Sequence, residues 1–237
     1  MGAPMDTPQL ISARTGYRIL SAALLVGSLA VWPHLLVAQS SPPDGTGGPA
    51  QVGDRWVYDT KNEVTGYPDE SFTEMVTKVA PNEIIMNLTF REPVHRLPRA
   101  VIVTYDHDWN GIDNLVWKFK PNNGLGIRLP LSAGKTWRAE FDAKNLDTGV
   151  NYRGTSLSKV VAQETITTSA GTFDTFKIEQ QARYFRAADP AKMWESQVVG
   201  WFAPQINHWV RRTILTKFDK RTRSNTSEEL ADFSRNL

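Results

Sequence analysis

The stretch "TWRAEFDAKNLDTG", Thr136 to Gly149, decides the fold. Its first half sets Trp137, Ala139 and Phe141 on one side of an extended chain. Thr136, Arg138, Glu140 and Asp142 fall on the other. A period of two, with one apolar and one polar face, belongs to a strand covered on one side only. The second half, "DAKNLDTG" (Asp142–Gly149), nearly repeats an earlier octet, "DTKNEVTG" (Asp59–Gly66). Both octets carry Asn, Thr and Gly, which tolerate turn geometry. Each is therefore expected to close a hairpin.

The match widens outward from the octets. Gly53-x-x-Trp56 corresponds to Gly134-x-x-Trp137. Lys78-Val79, Glu83 and Ile85 correspond to Lys159-Val160, Glu164 and Ile166. Residues 51–130 and 131–237 thus read as two copies of one β-meander unit, because like segments recur in the same order. Alternation recurs elsewhere. Leu115, Trp117 and Phe119 interleave with Val116, Lys118 and Lys120, and Phe176 and Ile178 with Lys177 and Glu179. No segment beyond residue 40 sustains a 3.6-residue period. Strands are expected near 54–61, 70–79, 83–90, 100–106, 114–120, 135–144, 150–162, 164–168, 173–184, 193–202, 207–219 and 227–234. The expected fold is all-β: a strongly curved antiparallel sheet, a half-barrel or open barrel.

The first 40 residues stand apart. Arg14 and Arg18 precede an apolar run from Ile19 to Val37, followed by the small-residue site Ala38-Gln39-Ser40. That arrangement predicts a secretory signal peptide over 1–40. The competing reading is an uncleaved anchor, since Ile19–Ala38 is just long enough to span a bilayer. Residues 41–50, "SPPDGTGGPA", have a linker's composition. Residues 51–237 form a single expected domain. No second apolar run of spanning length follows, so no integral membrane span is expected after cleavage.

Composition narrows the chemistry. The chain has no cysteine, which excludes disulfides, a thiol nucleophile, thiolate metal sites and a lipid-modified export cysteine. The chain holds 27 basic and 25 acidic side chains. Asp6, Arg14 and Arg18 leave with the signal, so the remainder is nearly neutral and gives no electrostatic reason to bind nucleic acid. The basic run Lys217, Lys220, Arg221 and Arg223 reads as a solvated hairpin tip. Eight tryptophans supply large apolar area, either as core or as the lining of a cavity.

Local motifs are few. "DHDWNGIDN" (Asp106–Asn114) opens like a calcium loop, with Asp106, Asp108 and Asn110 as oxygen ligands and Gly111 at the bend. Its twelfth position is Trp117 where a bidentate Glu belongs, and its flanks read as strands. Asp and Asn before Gly also suit an ordinary hairpin turn. His95, His107 and His208 lack zinc-ligand spacing and read as surface or edge residues. Glu83 and Glu164 occupy matching repeat positions and could do acid–base work only if brought close. Gly124-Leu125-Gly126 lacks the following helix that a phosphate loop needs. No cofactor is expected.

Several segments resemble an uncharacterised family of exported bacterial β proteins. They are Pro130-Leu131 through Gly134 and Trp137, Lys159-Val160 with Glu164, "AGTFDTFKI" (Ala170–Ile178), and Trp201-Phe202 with Pro204. The resemblance covers the second half well and the first half through the repeat. It implies an antiparallel, often curved sheet in the periplasm or outside the cell, with no established activity. A looser similarity to periplasmic half-barrel lipoprotein carriers rests on architecture.

These readings converge on an exported, non-catalytic domain. It would bind a lipid or other apolar small molecule, or an envelope protein, with Trp117, Phe119, Trp137, Phe141, Phe176 and Trp201 as candidate ligand-binding residues. The alternatives are a hydrolase with a dispersed Asp, Glu and His site, and a calcium-stabilised structural module.

Overall fold

A computed structural model of the chain describes residues 48–91, 100–121 and 124–235. Within them run β1 (Arg55–Asn62), β2 (Phe72–Ala80), β3 (Glu83–Phe90), β4 (Ala100–Tyr105), β5 (Gly111–Asp113) and β6 (Trp117–Lys120). Then follow β7 (Thr136–Asn145), β8 (Asn151–Thr168), β9 (Gly171–Arg186), β10 (Asp189–Ala203), β11 (His208–Phe218) and β12 (Arg221–Ser234). A single 3-10 turn, Pro204–Ile206, joins β10 to β11.

Every strand pairs antiparallel with its neighbours in the chain, and β1 also pairs with β12. The sheet is therefore a closed barrel of 12 strands, not the half-barrel or open barrel expected. Alternation and turns fix which strands are neighbours; they carry no information on whether the first and last strands meet. They meet along all of β1, from Arg55 opposite Ser234 to Asn62 opposite Thr226. A buried ion pair seals the rim. Arg235 donates to Asp54 at 3.2 Å and to the carbonyl of Pro49 at 2.8 Å.

The octets lie at the tips of β1–β2 and β7–β8, and the two turns are bonded alike. Asn62 Oδ1 accepts from the N–H groups of Val64 and Thr65, and Gly66 N–H donates to the carbonyl of Asn62. In the second tip Asn145 Oδ1 accepts from Thr148 N–H, and Gly149 N–H donates to the carbonyl of Asn145. At the other end of each hairpin, Gly53 N–H reaches the carbonyl of Val76, and Gly134 N–H that of Val160. By this bonding Val76, not Val79, corresponds to Val160. The register expected from Lys78-Val79 and Glu83 is thus displaced, because the second hairpin is longer on both arms, from Gly134 to Asn145 and from Gly149 to Val160, than the first from Gly53 to Asn62 and from Gly66 to Val76. The expected strands 150–162 and 164–168 are also one strand. A bulge between Val160 and Ala162 bends β8 without ending it.

The walls are unequal. β8, β9 and β10 have 18, 16 and 15 residues, whereas β5 and β6 have 3 and 4. The β6–β7 connection fills part of the space the long strands enclose. Gly124 carbonyl accepts from Ser156 Oγ of β8, and Gln180 of β9 donates to the carbonyls of Leu125 and Gly126. Ile127 is fully buried, and its N–H donates to the carbonyl of Asp108. Gly124 has φ +66, and a Cβ there would lie 2.1 Å from Ala139 Cβ. Only glycine lets the backbone pass so close to the inner face of β7.

Two aromatic clusters result. One contains Trp56, Tyr58, Trp109, Phe176, Phe202 and Trp209, and the other Phe119, Phe141, Tyr152 and Tyr184. At about 25 cal/mol per Å² and 150–250 Å² for each buried aromatic, each ring contributes several kcal/mol. They do this without a disulfide. No helix among the described residues is long and apolar enough to cross a membrane. The outer face carries Arg153, Lys159, Glu179, Arg183, Glu195, Arg211 and Glu229. Such charges do not suit the apolar band that a barrel needs to face lipid.

Candidate functional site

The barrel's interior holds a polar chamber of about 260 Å³ lined by, among others, Glu74, Tyr105, Asn114, Gln180, Ser196 and Arg212. Its lining groups, with the Tyr58 and Glu228 that bond them, come from strands distant in sequence. Tyr58 is on β1, Glu74 on β2, Tyr105 at the end of β4, His208 and Arg212 on β11, and Glu228 on β12. Strand alternation turns Tyr58, Glu74 and Tyr105 inward from the short wall. His208 arrives differently. It follows Asn207, a left-handed residue with φ 49, and precedes a bulge opposite Trp201–Phe202. The bulge interrupts alternation, so His208, Trp209 and Val210 are all buried.

His208 is held on three sides. Its ring stacks on Trp56 at 4.3 Å between centroids, and Trp109 meets it edge-on at 4.7 Å. Trp109 is placed by the turn after β4, and its Nε1 donates to Asn207 at 3.3 Å. The Tyr58 hydroxyl donates to the carbonyl of Trp209 at 2.7 Å. It has one proton, so toward His208 Nδ1, 2.5 Å away, it must accept. The network therefore assigns the ring proton to Nδ1. Nε2 is left bare and faces Glu74 Oε2 at 3.4 Å. Glu74 Oε2 is buried and has no hydrogen-bond partner among the described residues.

Two acceptors that close require a proton between them, and the surroundings place it on the carboxyl. Burial raises Glu74 to about 7; Arg212 opposes this and Glu228 adds to it. Burial also pushes His208 well below its ordinary range, helped by the positive charges of Arg212 and Arg235. At mildly acidic pH the pair is thus a neutral carboxylic acid against a neutral imidazole. Burial, then the charge of Glu74, raises Tyr58 well above the usual phenol range. Beside it, Arg212 binds Glu228 through Nε at 2.7 Å and a terminal nitrogen at 2.6 Å. Burial disfavours the Arg212 charge, but Glu228 and Glu74 outweigh that and hold it ionised.

Ser196 also borders a smaller apolar recess of about 180 Å³, lined by Trp117, Phe119, Tyr184 and Trp194. Trp117 touches Tyr152 and Tyr184 at 5.3 and 6.0 Å, and Phe141 meets Tyr184 at 5.2 Å. An aromatic recess and a polar chamber thus share one wall residue on the inner side of β10. Two larger clefts, of about 480 and 490 Å³, flank β7 and β8. They open to solvent among Glu140, Asp142, Lys144 and Arg153, all exposed.

The residues singled out from the sequence fall in different places. Trp117 and Phe119 line the aromatic recess, and Phe141 packs behind Phe119 at 5.9 Å. Trp137 and Phe176 are sealed in the other cluster. Trp201 is on the outer face, between Lys177 and Arg211 and hydrogen-bonded to Glu164, away from any interior surface. Asp106 spends Oδ1 on the N–H groups of Asp108 and Asn110, and Asn110 Oδ1 accepts from Gly126 N–H. That motif buckles a turn to the threaded segment. No group of three or more acidic or histidine side chains among the described residues is placed to hold a metal. His107, on the same turn, bonds the carbonyl of Ala80, and His95 lies outside the described residues. Glu83 and Glu164 sit on separate hairpins with Lys78 and Lys177. His208, expected at the surface or an edge, is 4% exposed; this corrects that expectation. Nothing in the sequence distinguishes Glu74 and Arg212 from other charged residues in alternating strands.

No family profile matches the chain, and no curated protein does. Solved structures do. A candidate lipoprotein from Parabacteroides distasonis superposes with a TM-score of 0.53 at 14% identity, covering 82% of this chain and 100% of that one. A candidate exported protein with a YmcC-like fold from Bacteroides fragilis gives 0.49 at 15% identity, over 80% and 99%. At such identity the first likeness establishes a shared fold and nothing further.

Proposed function

We propose that the protein is an exported, non-catalytic binding domain of the cell envelope. Its interior would take one amphiphile, with the apolar part among Trp117, Phe119, Tyr184 and Trp194 and the polar head in the chamber beyond Ser196. The observation that carries this reading is that an aromatic recess and a polar chamber border the same residue, Ser196, on the inner side of β10. The chamber, about 260 Å³, comes close to the size at which small-molecule sites begin, roughly 300 Å³. The signal-like first 40 residues and the fold shared with a candidate lipoprotein support export. The like bonding of the two octet hairpins supports an origin by duplication. Titration with decanol tests the pocket, because Trp117 and Trp194 in its wall report by their emission. Saturable quenching that Trp194→Ala abolishes is expected. Unchanged emission up to the solubility limit would remove the reading.

One observation favours a second reading. His208 and Glu74 meet in a cavity, as an acid–base pair in a hydrolase would. Against it, His208 Nε2 faces a carboxyl and not a serine or threonine hydroxyl, and burial suppresses its basicity. Ester hydrolysis lost in His208→Gln at unchanged stability would favour the enzyme.

A further inference from the structure

The buried charges in and near the chamber are paired except one. Arg212 binds Glu228 and Arg235 binds Asp54, each within 3.2 Å. Glu74 has only the bare Nε2 of His208 before it, and its own Oε2 is buried without a hydrogen-bond donor. Glu74 and His208, whose facing acceptors lie 3.4 Å apart, thus border one cavity. A buried acceptor left unmade is costly, more so when charged. The groups around it are Tyr58 from β1, Tyr105 from β4, Arg212 from β11 and Glu228 from β12. None of them donates to Oε2.

The geometry points to a primary ammonium head group as the ligand chemistry of this chamber, giving one N–H to Glu74 Oε2 and another to His208 Nε2. The inference rests on the pocket proposed above and adds the identity of its head group. An ammonium has three N–H donors, enough for both acceptors. It also neutralises the one surplus carboxylate. A carboxylate head would meet Glu74 and Glu228 with Arg212 already engaged. A hydroxyl would offer a single proton to two acceptors.

Binding then follows the ionisation of Glu74. Its carboxyl is raised to about 7 in the empty site. An alkylammonium, like a lysine side chain with its pKa near 10.4, stays charged throughout. Affinity for the amine should therefore rise with pH up to about 7 and level off above it. Below that, each pH unit should cost about tenfold.

The test compares decylamine, decanol and decanoate by tryptophan quenching and calorimetry at pH 5.5–8.5, with the full-length domain and with Glu74→Gln. A charge-assisted hydrogen bond corresponds to about ten- to hundredfold in affinity. Decylamine should exceed decanol by that factor at pH 8 and lose the advantage at pH 5.5. In Glu74→Gln the advantage of decylamine over decanol and its pH dependence should vanish. Equal binding of amine and alcohol at pH 8, or tighter binding of decanoate, overturns the head-group inference and leaves the pocket standing. Failure of all three to bind overturns the pocket and the inference with it. Should Glu74→Gln not fold, the wild-type pH series decides alone: an amine-to-alcohol ratio independent of pH refutes the role of Glu74.

Discussion

Replacing Glu74 with Gln should make the protein more stable at neutral and basic pH, because the native site holds a proton that the unfolded chain does not. The carboxyl stands near 4.5 in water and is raised to about 7 when buried. A folded-state value above the unfolded one gives stability that is complete below pH 4.5 and lost as pH climbs through 7. At ~1.36 kcal/mol per pH unit the loss is about 3 kcal/mol. Gln keeps the shape, never ionises, and can point an amide N–H at His208 Nε2. The difference in stability between Glu74→Gln and wild type should therefore grow by about 3 kcal/mol between pH 4.5 and 8. For a domain this size that is about 2–4 °C in Tm per kcal/mol.

His208 makes the experiment sharper. Its folded value lies well below 6.5, so its contribution is present above 6.5 and lost on acidification. Between pH 4.5 and 6.5 the folded pair holds one proton, on Glu74, and the unfolded chain holds one, on His208. The two slopes cancel in wild type. Glu74→Gln uncovers the histidine slope, about 1.4 kcal/mol per pH unit; His208→Gln uncovers the opposite one. Urea denaturation from pH 4.5 to 8 measures all three. Parallel stability curves for wild type and Glu74→Gln would refute the proton-sharing account.

Other substitutions probe other joints. Arg212→Met should cost about 3–5 kcal/mol, because Glu228, whose side chain is 13% exposed, is left a largely buried unpaired charge. Adding Glu228→Gln should recover much of the loss in the same denaturation assay. Gly124→Ala should cost about 2–4 kcal/mol or prevent folding, as it combines a positive φ with the near contact to Ala139. Circular dichroism melting reads it. Expression of the full chain in an exporting bacterium should yield a mature N-terminus at Ser41, checked by N-terminal sequencing; an intact first 40 residues would favour the anchor.

Much of the wall was legible in the sequence. β3 was placed at 83–90, its observed span, because alternation and turn residues are local properties. The octets revealed two hairpin tips for the same reason. Closure was not legible, since β1 and β12 recognise each other through backbone groups every sequence possesses. The chamber was hidden more deeply. Glu74 sits in the strand "FTEMVTKVA" on the inward face between Phe72 and Val76, and the residues it meets there come from strands far away in the chain. His208 misled because a bulge and a left-handed Asn207 sit beside it, and period-two reasoning fails at a bulge. Trp201 misled in the opposite sense. It is aromatic and in a strand, yet its indole lies between cationic side chains outside the wall.

The seam between β1 and β12 has a consequence for biogenesis. A ribosome delivers β1 long before β12, and Arg55 finds Asp232 only 177 residues later. Until then β1 can pair only with β2, over Arg55–Tyr58, and its other edge stays unsatisfied. The ring cannot lock during synthesis. It locks in one late step, once β12 has emerged, that brings β1 and β12 to the same rim.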